Sequence, residues 1–201
     1  MTGPACPGEA RGTMELPELL QRCRYGDELA WEALVRGNQA RIYGIAYGYV
    51  GNAEEARDLA QEVFVRIYQK LNTCRDPERF LPWMVRITRT MCVDHLRRAK
   101  ARPPAHDVPV DDDVGLTADG PDPEQHAIVN ARKRLVYRAM RTLSVINREI
   151  IVLKEMQGLP QEEIASMLRV PLGTVKSRAN RARIELAKAI TALGGGPELQ
   201  E

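Results

Sequence analysis

The stretch LPQEEIASMLRVPLGTVKSRANRARIELAKAI, residues 159–190, decides the fold of this chain. Pro160 can open a helix, Gln161, Glu162 and Glu163 fill its first turn, and Ile164, Ala165 and Leu168 form its buried face. Arg169, Val170 and Pro171 make a short turn, and a second helix starts near Thr174. Ala165 is small where the two helices must approach closely, and Val170 plugs the turn. Val175, Ala179, Ala182 and Leu186 recur at spacings of three and four, which turns one side of the second helix to the core. The opposite side carries Lys176, Ser177, Arg178, Asn180, Arg181 and Arg183. A basic helix face alone is commonly just solvated surface. The conjunction of small residue, turn, plug and basic outer face is a helix-turn-helix pattern, and it places DNA binding well above that plainer reading. A second helix presenting cations and amides outward is what reading the major groove requires. Lys and Arg read guanine or bind phosphate and Asn reads adenine, each good bidentate pair giving ~1–3 kcal/mol of discrimination.

Upstream of this module the chain changes character. Residues 101–123 read ARPPAHDVPVDDDVGLTADGPDP, with five prolines, six aspartates and one arginine. Repeated Pro and Gly forbid a continuous helix and the aspartates oppose collapse, so this segment is expected to be a flexible linker. The formal net charge of the 201 residues is only +2. Its distribution is uneven: 124–193 carry net +7, 101–123 carry −5, and 14–100 carry +2. A neutral total thus hides a basic module on an acidic tether, which points to a polyanionic partner.

The segment before the linker is also helical in pattern. In 53–72, Ala56, Leu59, Ala60, Val63, Phe64, Ile67 and Leu71 form an amphipathic stripe, with Asn52 as N-cap and Glu54 and Glu55 in the first turn. From Pro77 to about Ala99 a weaker stripe contains Met84, Ile87, Met91 and Leu96, and Pro82 lies early enough to be tolerated. Residues 15–37 and 38–50 read as two more helices, separated near Gly37. In the second module, helices are expected over 124–142 and 145–157, the latter stopped by Gly158. No period-2 strand is found. The fold class is therefore all-α: two small helical domains on a linker, the second containing the helix-turn-helix. Residues 1–13 read as an unstructured extension and 194–201 as a tail.

Several functions drop out. No apolar run approaches the ~18–20 residues of a membrane span, and the first residues lack the apolar core of a secretory signal. Cys6, Cys23, Cys74 and Cys92 form no C-x-x-C pair, and His95, His106 and His126 have no ligand spacing. Neither a disulfide framework, a metal site, a cofactor fingerprint nor a catalytic cluster emerges, so no enzyme, cofactor or small-molecule substrate is expected. Four reduced thiols in a cytoplasmic protein is the reading adopted. Cys74 and Cys92 are candidates for redox sensing, with buried thiols favoured.

With these residues in view, the chain resembles an RNA polymerase sigma factor of the extracytoplasmic-function class, in the sigma-70 family. EEIASMLRVPLGTVKSRANRAR, 162–183, resembles the reader of the promoter −35 element. NAEEARDLAQEVFVRIYQKL, 52–71, resembles the helix that docks on core polymerase, and RFLPWMVRITRTMCVDHLRRAKA, 79–101, the helix that melts and reads the −10 element. Two regions matched in order, with a linker between, cover nearly all of 14–193. Residues 1–13 match nothing in the pattern, which leaves Met14 as an alternative start.

The resemblance implies roles. Asp58, Gln61 and Glu62, which share one face at i, i+3 and i+4, fall where the family binds core polymerase. Arg86, Arg89, Thr90, Arg97 and Arg98 fall on the −10 DNA-binding helix. There melted DNA needs cations for its backbone and pockets for its bases. Phe80 and Trp83 share a face, with Trp83 favoured as core, and Asp94 either orients Arg97 or Arg98 or is a plain surface ion pair. Thr174, Lys176, Ser177, Arg178, Asn180 and Arg181 fall on the −35 DNA-binding helix. The linker's aspartates either mimic RNA or keep the tether soluble. Core RNA polymerase and promoter DNA are the implied partners. An anti-sigma factor is a further implied partner. Three positions depart from the pattern: Thr90 where Asn is usual, Arg169 where the turn often has Gly, and Pro160 where a Ser or Thr cap is usual. The alternative is a stand-alone helix-turn-helix regulator, which would bind duplex DNA without polymerase.

Overall fold

The described residues of the computed structural model, 15–101 and 123–194, are helical with no strand among them. Of the linker expected over 101–123, residues 102–122 lie outside the described residues, and Ala101 and Pro123 are instead the last residue of one helix and the first of the next; residues 1–14, Cys6 among them, and 195–201 of the expected tail also lie outside.

The first helices differ from the expectation. Helix α1 spans Leu16–Arg24, and α2 runs unbroken over Glu28–Val50, straight through Gly37. The break falls earlier, where Gly26 takes φ 82 and Asp27 caps α2 by accepting from the Ala30 amide at 3.0 Å. Arg22 Nε donates to the second Asp27 oxygen at 2.8 Å. These local devices decide the boundary. A lone mid-helix glycine costs only ~0.5–1 kcal/mol and cannot by itself stop a 23-residue helix.

Helix α3, Ala53–Lys70, starts as its sequence predicts: Asn52 Oδ1 accepts from the Glu55 amide at 3.0 Å. Its buried side is Ala56, Leu59, Ala60, Val63 and Ile67. Two 3₁₀ turns, Leu71–Thr73 and Pro77–Arg79, lead into α4, Phe80–Ala101, with Pro82 in its first turn, where the missing N–H costs nothing.

In the second module α5 covers Pro123–Thr142, and Ser144 caps α6, Val145–Ile151. The expected helix over 145–157 is not uniform: Val152–Met156 is a π turn, with the Gln157 amide bonded to the Val152 carbonyl at 3.1 Å. Ile150, Ile151, Val152 and Leu153 are all buried, and an ordinary helix with one apolar stripe does not bury four successive residues on one side. Gly158, at φ 67, ends it as expected. Helix α7 is Gln161–Leu168, with Pro160 as N-cap and no side-chain cap. Helix α8, Leu172–Ala192, starts two residues before Thr174.

Helix α2 organises the whole. Ile42 through Tyr49 are buried without exception, because one side packs on α3 and α4 and the other on α5 and α6. Gly44 and Gly48, one turn apart, form the flat strip on which the second module sits. The Tyr47 ring meets Tyr137 of α5 edge-on at 4.7 Å. Arg148 joins the modules through backbone oxygens, donating to Met140, Arg141 and Leu143 at the end of α5 and to Tyr49 near the end of α2. One apolar core therefore runs from Leu20 to Ala182.

Candidate polymerase and nucleic-acid interfaces

Helix α3 holds Asp58, Gln61 and Glu62 on its outer face, and all three are exposed. One turn further, Val65 and Tyr68 are 58% and 56% exposed. With Trp31 and Phe64 they line a cleft of about 380 Å³ between α2 and α3. Trp31 and Tyr68 pack edge to face at 5.0 Å. An apolar groove thus continues the acidic face. The sequence reading missed it because Val65 and Tyr68 lie outside the buried stripe. Two large apolar residues at i and i+3 beside that stripe were the available signal.

On α4, Arg86, Thr90 and Arg97 share one side at helical spacing, whereas Arg89 and Arg98 flank it in opposite directions. They do not share one environment. Arg97 and Arg98 are exposed. Asp94 reaches Arg97 at 3.9 Å with both side chains more than half exposed, which is the plain surface pair and worth at most about 1 kcal/mol. Thr90 is exposed and donates to the Arg86 carbonyl at 2.8 Å. Arg89 is instead held by Glu149 at 2.7 Å, and Arg86 lies 3.4 Å from Glu163. Phe80 is buried, and Trp83 is half-buried with its indole N–H donating to Thr73 Oγ1 at 3.2 Å. A cleft of about 300 Å³ opens beside it, lined by Thr73, Arg75, Asp76, Arg79, Arg86 and Glu163 among others. Its lining mixes residues of the two modules, a juxtaposition that helical spacing cannot reveal.

On α8, Val175, Ala179 and Ala182 are buried and Leu186 is partly so, as the pattern requires. Lys176, Ser177, Asn180 and Arg181 are exposed, while Thr174 and Arg178 are half-exposed. Arg183 is drawn toward Glu155 at 3.6 Å. No side chain caps the start of α8, so its first amides stay open to an anion. The preceding turn places Arg169 at φ 56, where it is the one non-glycine residue with positive φ among those described. The Val170 amide closes the turn on the Ala165 carbonyl at 3.1 Å.

Cys23, Cys74 and Cys92 are buried. Burial pushes all three thiols up, Cys92 to about 12, which keeps them protonated and slow to react. Burial first, and then the Glu149 carboxylate, push the Tyr49 phenol well up, so its hydroxyl remains a donor to Glu149 at 2.9 Å. Among the described residues no group of acids, histidines or cysteines is placed to hold a metal, and no helix is long and apolar enough to cross a membrane.

Known proteins share this arrangement. Residues 34–102 match Sigma-70 region 2 and residues 133–186 match Sigma-70, region 4. The RNA polymerase sigma-H factor of Pseudomonas aeruginosa is 33% identical over 181 residues, covering 88% of this chain and 94% of that protein. The ECF RNA polymerase sigma factor SigW of Bacillus subtilis is 31% identical over 187 residues, covering 90% and 99%. Among solved structures, CnrH in complex with the cytosolic domain of CnrY aligns with a TM-score of 0.59 at 23% identity, over 87% of this chain and 96% of that one. The sigma factor RpoE in complex with the anti-sigma factor NepR, from Bartonella quintana, aligns at 0.62 with 21% identity, over 80% and 96%. The two structures speak to the fold. The two relatives are sigma factors over nearly their whole length, which favours a sigma factor over a stand-alone regulator. By both matched regions, in order, and by these full-length relatives, the chain belongs to the extracytoplasmic-function sigma factors of the sigma-70 family.

Proposed function

We infer that this chain is a promoter-specificity subunit: it binds core RNA polymerase, reads the −10 and −35 elements and helps open the DNA. The observation that carries this reading is the match of both regions in order, joined to near full-length likeness to polymerase sigma factors. Asp58, Gln61 and Glu62 contact the polymerase, and the Trp31–Tyr68 groove beside them adds an apolar edge to that surface. Arg86, Arg89, Thr90, Arg97 and Arg98 engage the −10 strand, with the cleft at Trp83 beside them. Thr174, Lys176, Ser177, Arg178, Asn180 and Arg181 read the −35 element, with Arg169 placed to reach phosphate. Sigma factors initiate transcription without a reaction of their own. The energy for opening then comes from binding, and the place of action is the cytoplasm, where the DNA is. An anti-sigma factor is a fitting regulator, since the sigma factor RpoE, a protein of this fold, is solved with the anti-sigma factor NepR.

In vitro transcription with purified core polymerase tests the reading. Promoter-dependent initiation well above core alone is expected; initiation equal to core alone refutes it. Asp58→Ala with Glu62→Ala is expected to weaken core binding at least several-fold in a pull-down titration while leaving the helical signal intact. Unchanged core affinity would move the docking surface elsewhere.

A further inference from the structure

The segment between α3 and α4 is short and tied at several points. It consists of the two 3₁₀ turns with Cys74, Arg75 and Asp76 between them. It lines the cleft beside Trp83 with Arg75 and Arg79, and α4 lines the same cleft with Trp83 and Arg86. Each end of the loop is fixed locally. Thr73 Oγ1 donates to the Lys70 carbonyl at 2.7 Å and accepts from the Trp83 indole at 3.2 Å. Asp76 Oδ1 accepts from the Glu78 amide at 2.9 Å and caps the second turn. The middle is fixed from afar: the Cys74 carbonyl accepts from Nη2 of Arg24, the last residue of α1 and 50 positions earlier. Helix α1 also packs against the Pro77–Arg79 turn. The end of α1 is in turn held to the start of α2, since Arg22 pairs with Asp27, the cap of α2. Arg24 is half-buried and stands outside the lining of the cleft.

We propose that Arg24 is a positioning residue for promoter opening: from α1 it sets the 71–79 loop, and with it the placement of Arg75 and Arg79 against Trp83 and Arg86 of α4. This rests on the reading of α4 as the −10 helix. An unstacked base and its phosphate fit between a ring and cations only when both sides stand at the right spacing. The local bonds shape each turn, whereas the Arg24 bond ties the stretch between the turns to a different helix. Cys74 is buried, so without the guanidinium its carbonyl loses a donor that water does not readily replace. The loop then shifts to find one, and Arg75 and Arg79 move with it. Arg24 touches no DNA in this role; it acts through the loop.

Three full-length variants test this. Arg24→Met keeps most of the aliphatic stem and removes the donors. Arg24→Lys restores a cation and a donor. Thr73→Val removes the acceptor of the Trp83 indole on the same loop. Hydrogen exchange of the free chains reports the loop. Permanganate reactivity of melted thymines, with core polymerase added, reports opening. The templates are duplex fragments of one promoter from which the wild-type holoenzyme initiates, with each base of the −10 element varied in turn. In Arg24→Met the amides of 73–79 are expected to exchange about tenfold faster, with those of α3 unchanged. Its opening rate is expected to fall about tenfold at unchanged core affinity, and its preference among −10 bases to flatten. Arg24→Lys is expected to recover most of both, and Thr73→Val to flatten the same positions. The salt slope of promoter binding is expected to stay as in wild type; a fall of about 0.9 would make Arg24 a phosphate contact and overturn the positioning role. Unchanged loop exchange, or a loosened loop with unchanged opening and base preference, overturns it as well. If Arg24→Met loses its helical signal, Arg24→Gln, polar but with a shorter reach, decides by the same readouts. Failure of wild type to initiate from any promoter would instead refute the sigma-factor reading, while the exchange comparison still decides whether Arg24 holds the loop.

Discussion

Arg169 bears a backbone conformation that suits glycine. At φ 56 its β-carbon crowds the neighbouring backbone, at a cost of roughly 1–2 kcal/mol. Arg169→Gly is therefore expected to stabilise the second module by about 1 kcal/mol, read as a higher midpoint in thermal or urea unfolding. If the guanidinium also touches phosphate, the same variant lowers −35-dependent initiation while raising stability, a split that a purely structural residue would not give. The position was legible through the resemblance, because the family often has glycine at this place in the turn. Asn52 was legible for a similar reason: a cap announces itself locally, by a short polar residue before acids and an apolar stripe. Arg148 was not. In the sequence it is one more cation in a basic module, whereas in the fold its guanidinium holds four carbonyls and is buried enough to lower its pKa.

Helix α2 shows where element boundaries escape sequence reading. Gly37 reads as punctuation, yet it lies exposed inside the helix, and a β-carbon there would meet nothing within 4 Å. Gly37→Ala is thus expected to stabilise the chain by ~0.5–1 kcal/mol, seen as a raised unfolding midpoint with core binding unchanged. The actual break at Gly26–Asp27 carries both a left-handed glycine and a capping aspartate, two signals against one. The eight successive buried residues from Ile42 to Tyr49 carried a further message. A helix that is apolar all round is covered on every side, so this run implied that something packs on α2 from outside its own module. The π turn had no such signal. Periodicity in IIVL, residues 150–153, does not distinguish hydrogen bonds spanning four residues from bonds spanning five, and only the neighbours pressing on both sides decide it.

Across the whole molecule, the uneven charge acquires a geometry. The basic second module keeps few acids, and two of them, Glu149 and Glu163, are turned toward α4. Its outward α8 face carries Lys176, Asn180 and Arg181 in water. Promoter binding by the holoenzyme should weaken steeply with salt, and Lys176→Ala should reduce the slope of log affinity against log salt by about 0.9 if the ammonium neutralises one phosphate. A slope that persists while preference among promoter sequences changes would assign Lys176 to a base edge instead. The helix-turn-helix and the division into two regions were legible because they depend on short-range spacing. The pairings of residues 60 to 100 positions apart were not, since no local pattern says which acid meets which arginine. The glycine at position 48 partly restores that legibility for other chains. With 2.9 Å between a would-be β-carbon and Val152 Cγ2, any larger residue at position 48 obliges the contact between α2 and the second module to shift. A larger letter at the corresponding place in another chain therefore marks one that must seat its second module differently, since a packed interior gives way by only fractions of an ångström.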